Sequence, residues 1–240
     1  MQLNYSILAK YYDKFTQNDC DYESWSQYLY RVASRHNARE LVDLACGTGK
    51  MTVYLTDFGF KLIGVDISCE MLSVARTKCK ANFVQQDIKK LALAHKVDMA
   101  VCVNDGINYL NPNELVPFFE RVSASLKDGA PFVFDISSAH KLTKQIGNEV
   151  FYWDDERETL LWSNELDGKC VHMNLALFAQ NSNGSYDRFD ERHTQYIHTQ
   201  SEILDALQHA HFTTVEVTAN YGNSVSDTSD RLTFYAVKKS

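Results

Sequence analysis

The chain has 240 residues, 45% of them hydrophobic and 12% aromatic, with a formal net charge of −7. That content offsets chain entropy, so disorder is excluded as the dominant state, and the length suits one large domain or a domain carrying an insertion. No apolar run nears the ~20 residues of a membrane span, and residues 141–240 hold 9 basic against 15 acidic side chains, so no face for nucleic acid is expected.

The acidic balance suits a small-molecule substrate, and an amine or cation more readily than a phosphate. The first residues lack the basic and apolar regions of a secretory signal, so a cytoplasmic location with reduced thiols is expected. The 6 cysteines contain no C-x-x-C pair and the 8 histidines no H-x-x-x-H pair with a carboxylate partner, so no metal is expected.

The N-terminal segment is helical in pattern and aromatic-rich (Tyr5, Tyr11, Tyr12, Phe15, Tyr22, Trp25, Tyr28, Tyr30). Such aromatics pack on a sheet edge or on a second subunit, so monomer and homodimer both stay open. Residues 41–45 form a short apolar strand closed by glycines. Residues 50–58 carry Met51, Tyr54, Leu55 and Phe58 at helical spacing, with Gly59 placed as a helix-ending glycine. A second strand spans 61–66. Ser68 then caps a helix whose apolar face is Met71, Leu72, Ala75 and Cys79. Strands are expected at 82–86 and 97–103, a helix at about 113–127 with Pro117 tolerated only in its first turn, and a fifth strand at 131–136. This alternation predicts right-handed crossovers and a parallel sheet.

After Ser138 the texture changes. Residues 149–153, 159–166, 170–179 and 187–198 are rich in β-formers, separated by the turn signals Asp167-Gly168 and Asn183-Gly184, which predicts an antiparallel meander. Thr199-Gln200-Ser201-Glu202 is a capping box opening a helix to about His211. Two last strands follow at 213–219 and 231–238.

The chemistry gathers around Asp43-Leu44-Ala45-Cys46-Gly47-Thr48-Gly49. A strand ends there, and its glycines let backbone approach a ligand at a helix N-terminus. A phosphate loop requires G-x-x-x-x-G-K-[ST]; Leu44 and Met51 break it. A dinucleotide fingerprint requires a third small residue, where Thr52 stands. The third reading is a nucleoside without phosphates. Asp66 closes the second strand, where a carboxylate accepts both hydroxyls of an unphosphorylated ribose, of NAD or another nucleoside.

These residues, together with Gly64-Val65-Asp66-Ile67-Ser68, Met71-Leu72 and Ala75-Arg76, resemble the class I S-adenosylmethionine-dependent methyltransferases. Gln86-Asp87-Ile88 and Asn104-Asp105-Gly106-Ile107-Asn108-Tyr109-Leu110 resemble that family's motifs after strands three and four; Lys127-Asp128-Gly129 is looser. The Tyr5, Ala9, Tyr12-Asp13 pattern resembles small cytosolic bacterial members with an antiparallel insertion after strand five. The resemblance implies S-adenosylmethionine as cofactor, held by Asp43, Ala45, Gly47, Gly49, Asp66, Ile67, Met71, Asp87, Ile88 and Asn104, with Asp87 on the adenine amino group and Tyr12 covering the sulfonium side.

The expected fold is therefore a doubly wound α/β sheet of seven strands, the last antiparallel. Residues 1–139 and 199–240 form the cofactor domain, with 1–38 as lid. Residues 140–198 form an antiparallel insertion roofing the acceptor. The expected reaction is methyl transfer to nitrogen or oxygen of a small acceptor, by in-line displacement aided by proximity and desolvation. Candidate acceptor-site residues are Asp105, Asn108, Tyr109 and His193. Asp105 either attracts an ammonium or caps the turn, and His193 serves as a base near neutral pH or as a structural histidine. On the 191–196 strand, Glu191 and His193 share one face, and Arg192 and Tyr196 the other. The rivals are an NAD-dependent oxidoreductase, a non-catalytic cofactor-binding protein and an RNA methyltransferase.

Overall fold

Seven strands are hydrogen-bonded into one sheet and four into another. In the computed structural model, which describes residues 8–16 and 20–240, the larger sheet comprises β1 (Glu40–Leu44), β2 (Lys61–Asp66), β3 (Asn82–Gln85), β4 (Met99–Cys102), β5 (Pro131–Ser137), β10 (Phe212–Ala219) and β11 (Arg231–Lys238). The spatial order is β10-β11-β5-β4-β1-β2-β3. Strands β1 to β5 pair in parallel, while β11 runs antiparallel to both β5 and β10. The order reverses between β1 and β4, so a crevice opens beyond their carboxyl ends, where ligands of such sheets sit.

Helices cover both faces because the central strands are apolar throughout. On one face α2 (Tyr22–Arg35) and α3 (Lys50–Asp57) bury Trp25, Leu29, Val32, Met51 and Leu55 against β1 and β4. On the other, α5 (Leu115–Ser125) and α6 (Gln200–His209) pack over β5 and β11. Here Phe118, Phe119, Phe132, Phe134 and Phe234 are fully buried, with Phe134 and Phe234 stacked at 5.0 Å. α4 (Cys69–Lys78) is capped by the Ser68 hydroxyl, which accepts from Met71 N, and α6 opens on the expected capping box of Thr199 and Glu202. The expected 113–127 helix is shorter. Residues Pro112–Glu114 form a 3₁₀ turn, and α5 begins at Leu115, which puts Pro117 in the first turn, where its missing N–H costs little.

The smaller sheet is an antiparallel meander of β6 (Val150–Asp154), β7 (Glu158–Asp167), β8 (Cys170–Gln180) and β9 (Tyr186–Tyr196). A π-helical segment, Lys141–Ile146, leads into it from β5. Its inner face packs on that segment through Leu142, Ile146, Val171, Met173 and Ile197. A short helix, α1 (Tyr12–Phe15), bridges the two sheets. Asp13 accepts from the Thr48 hydroxyl at 2.6 Å and pairs with Lys78, while Lys14 pairs with Glu158 at 2.7 Å and Phe15 lies edge-on to Trp153. Tyr5 lies outside the described residues.

Candidate active site

Two cavities meet at the carboxyl ends of β1 and β4. The first has a volume of about 450 Å³, and its lining includes Ala45, Gly47, Asp66, Ile67, Met71, Asp87, Ile88 and Asn104. The second, about 370 Å³, lies under the antiparallel sheet and includes Asp105, His193, Gln195, Lys141, Trp153 and Trp162. Tyr12, Asn104 and Tyr109 line both.

The backbone makes the first cavity by turning sharply after β1. Ala45 and Gly47 have φ of +53° and +54°. A Cβ on Gly47 would meet no atom within 4 Å, so a side chain there would project into the cavity. Gly49 has a different reason. Its φ is +74° and an added Cβ would stand 3.0 Å from the Ala75 Cβ, so this glycine lets the turn pack on α4.

Asp66 is buried, and both its oxygens hold the turn: Oδ2 accepts from Gly47 N at 2.8 Å and Oδ1 from Ser68 N at 2.9 Å. Burial raises its pKa against the pull of these N–H groups. A carboxylate offers about four acceptor positions, so capacity remains beyond these two bonds and the lesser pull of the Ile67 N–H. Asp87 caps the 3₁₀ turn Ile88–Lys90 by accepting from Lys89 N at 3.0 Å.

A buried polar hub lies beside both cavities. Asn104 and Asp105 both adopt left-handed backbone, with φ of +61° and +57°, a conformation Asn and Asp tolerate better than most residues. Asp135, at the end of β5, accepts from Asn104 N at 2.8 Å and Asp105 N at 2.7 Å. The Tyr221 hydroxyl and Arg231 Nη1 also donate to Asp135. Arg231 further donates to Asn104 Oδ1 at 3.1 Å, lies 3.8 Å from Asp105 Oδ1 and stacks its guanidinium over Trp25 at 4.8 Å. Burial raises the Asp105 pKa, with Arg231 opposing it. Asp105 Oδ2 also accepts from Gln195 Nε2 at 2.6 Å. Tyr12 is held by Asn104 Nδ2, which donates to its hydroxyl at 3.2 Å, and burial raises the phenol's pKa well above its ordinary value.

Strand β9 divides its side chains between the cavities by simple alternation. Arg192, Thr194 and Tyr196 line the first, while His193 and Gln195 line the second. His193 is buried, 3.3 Å from Glu191 Oε2 and edge-on to Tyr109. Glu191 also accepts from Leu8 N at 3.2 Å, which ties the N-terminal segment to the same strand.

Three residues expected at the site line neither cavity. Gly49 serves packing, as above. Asn108 is fully buried and acts as a structural clasp. Its Nδ2 donates to the Ser137 and Tyr196 carbonyls at 3.2 and 3.0 Å, and its Oδ1 accepts from Ser137 N at 2.9 Å. Asp43 is fully buried beneath Thr52, whose hydroxyl donates to Oδ2 at 2.6 Å, while Oδ1 has no hydrogen-bond partner among the described residues. Burial pushes the Asp43 pKa up to about 7.

The raised Asp43 pKa has a consequence for stability. The folded state keeps a proton on Asp43 that the unfolded chain loses near pH 4, so this group's contribution declines from about pH 4 and is lost through about pH 7. Asp43→Asn removes that dependence while retaining an acceptor for Thr52. Its stability is expected to match that of the parent near pH 5 and to exceed it by on the order of 2–4 kcal/mol at pH 8, read as a higher melting temperature there. Parallel melting curves for the two proteins from pH 5 to 8 would refute this.

Residues 41–129 match a family described as a methyltransferase domain. A provisionally named methyltransferase of Geobacillus sp. (strain WCH70) is 30% identical over 249 residues, covering 98% of this chain and 100% of that protein. The chain belongs to the S-adenosylmethionine-dependent methyltransferases. The crystal structure of such a methyltransferase from Clostridium acetobutylicum ATCC 824 superposes with a TM-score of 0.88 at 32% identity, covering 97% of this chain and 98% of that one. A dTDP-3-amino-3,6-dideoxy-alpha-D-glucopyranose N,N-dimethyltransferase of Streptomyces fradiae is 30% identical over 139 residues, 55% of this chain and 54% of that protein. S-adenosylmethionine is therefore the cofactor, and the NAD reading falls. Among the described residues no helix is long and apolar enough to cross a membrane.

Sequence reasoning missed several residues that line or border these cavities. Arg231, Gln195, Lys141 and the two tryptophans of the second cavity come from segments without a motif. Their placement follows from strand register, as where Arg231 pairs with Ser137 at the carboxyl end of β5. The sequence places Arg192 with Tyr196 on the strand expected to roof the acceptor, and the fold brings it to the first cavity. Thr48 and Lys50 lie within or beside the glycine motif, and their pairing with the N-terminal Asp13 and Thr16 required the fold.

Proposed function

We propose that the chain transfers a methyl group to a nitrogen or oxygen atom of a small-molecule acceptor bound in the 370 Å³ cavity. The observation that carries this reading is the junction of the two cavities at Tyr12, Asn104 and Tyr109. The 450 Å³ cavity falls within the roughly 300–1,000 Å³ of small-molecule sites. Its residues fit the cofactor: Asp66 has lone pairs for two ribose hydroxyls, Asp87 stands for the adenine amino group, and Ile67, Met71 and Ile88 form apolar walls. Gly47 leaves room for the ligand. Tyr12 covers the end toward the second cavity.

Bound there, the cofactor supplies a sulfonium methyl that is already electrophilic. What remains for the protein is alignment and exclusion of water. The short helix α1, tied to Thr48 on one side and Glu158 on the other, borders the junction through Tyr12 and would help to exclude solvent from it. The second cavity has an apolar wall of Phe15, Trp153 and Trp162 and a polar end of Asp105 and Gln195. Three buried polar atoms of its lining residues, Ser137 Oγ, Trp162 Nε1 and Gln195 Oε1, have no hydrogen-bond partner among the described residues. Such groups are normally satisfied, and they suit an acceptor with polar substituents on an apolar body.

An amine is the favoured nucleophile. The Asp105 carboxylate faces the cavity, and the Streptomyces fradiae relative is named for methylating an amino sugar. His193, beside Glu191, would take the proton released from an ammonium acceptor. The test is a screen of small amines, amino sugars and hydroxyl compounds with S-adenosylhomocysteine formation as readout. Turnover with a member of these classes supports the proposal. Tight cofactor binding without turnover across all of them would make the protein a non-catalytic binder.

The alternation along β9 gives a sharper expectation. The sequence places this strand in the insertion expected to roof the acceptor, yet Arg192 lines the cofactor cavity and His193 the other. Arg192→Ala is expected to weaken S-adenosylmethionine binding by about 10-fold or more, the loss of one charged contact. His193→Ala is expected to lower acceptor-dependent turnover by about 100-fold, in the range of general-base removal, with cofactor affinity retained. Calorimetry with the cofactor and steady-state kinetics separate the two. Equal losses of both properties in both variants would contradict the division.

A further inference from the structure

The hairpin joining β7 to β8 carries a cluster outside the two cavities. Asp167, Cys170 and His172 each offer a ligand atom, and these atoms lie within 4.8 Å of one another. Register brings them together. Asp167 stands opposite Cys170 across the hairpin, and Cys170 and His172, two apart on β8, share a face. Thr194 of β9 stands opposite His172, with its hydroxyl 2.9 Å from Nδ1. When Nδ1–H donates to that hydroxyl, the lone pair lies on Nε2, and Nε2 is the nitrogen that faces Cys170 Sγ at 3.7 Å. A zinc ion with sulfur at about 2.3 Å and nitrogen at about 2.0–2.1 Å in tetrahedral geometry sets those two atoms roughly 3.5 Å apart. The pair already stands near ligand-to-ligand spacing. An anchored distal nitrogen is also how metal-binding histidines are oriented.

We propose that Asp167, Cys170 and His172 form a binding site for a divalent ion of the zinc class, with water completing four-coordination. The donor set selects the ion. Sulfur and imidazole nitrogen suit zinc and its neighbours, whereas calcium and magnesium take oxygen donors. The Cys170 thiol, now directed at the Asp167 carbonyl at 3.2 Å, gives its proton to solvent as the sulfur–metal bond forms. The site lies on the sheet face that carries Thr194 and Tyr196, which pair with His172 and Cys170 and line the cofactor cavity.

The test is titration of the full, metal-free chain with Co²⁺, followed by Zn²⁺. The expected result is a thiolate-to-cobalt charge-transfer band that saturates at about one ion per chain and is displaced by zinc. Cys170→Ser is expected to abolish the band, and His172→Gln to weaken binding by about 10-fold or more. Cys69→Ser, which removes an exposed thiol elsewhere, is expected to leave the band unchanged. Absence of the band in the parent, its survival in folded Cys170→Ser, or unchanged affinity in His172→Gln would each overturn the site. Circular dichroism of the metal-free variants checks that they remain folded.

Discussion

Replacing Asp66 by Asn is expected to weaken S-adenosylmethionine binding by about 100-fold or more, while the chain stays folded. The magnitude follows from two hydrogen bonds to a charged acceptor, each worth roughly 1.5–3 kcal/mol when lost. The carboxylate also organises the turn, since Gly47 N and Ser68 N both donate to it. An amide matches its shape but presents a donor to one of those N–H groups, so the turn loosens as the ribose acceptor is lost. Both effects fall on the same ligand. Calorimetry with the cofactor, alongside a melting curve, reads them together. A folded Asp66→Asn protein of unchanged affinity would move the ribose site elsewhere.

Arg231→Met is expected to be the most destabilising single change at the site. The guanidinium is buried among Asp135, Asp105 and Asn104 and stacks on Trp25. Removing it leaves two buried carboxylates without their cation, and breaking such a pair costs about 3–5 kcal/mol. For a chain of this size that corresponds to a fall in melting temperature of about 10 °C. Arg231→Lys is expected to rescue little. A single ammonium cannot serve Asp135 and Asn104 together as the planar fork does. Both cavities are affected, because Asn104 lines the two and Asp105 the second. A melting temperature within a degree or two of the parent would remove Arg231 from the hub.

Asp135 shows why such a hub is a tertiary object. The parallel strands β4 and β5 end side by side, and this places its carboxylate under the N–H groups of Asn104 and Asp105. Tyr221 and Arg231 reach it from the far end of the chain. Nothing in the local pattern around residue 135 marks it, since it lies in an apolar strand.

The features decided by sequence alone are local ones. The glycine turn after β1, the acidic residue closing β2, the Ser68 and Thr199 caps and the period-two alternation of the insertion each depend on a few neighbouring residues. Backbone geometry and the pleat act at that range, and the family resemblance rests on the same short motifs. Tertiary structure decided the rest. It turned Asp43, Gly49 and Asn108 toward packing and backbone contacts, because burial and neighbouring donors differ at positions that look alike in a motif. It sent alternate residues of β9 to different cavities, because strand register chose where the sheet lies. It also gathered Asp167, Cys170 and His172 through a hairpin, where cross-strand neighbours meet whatever their spacing in the chain.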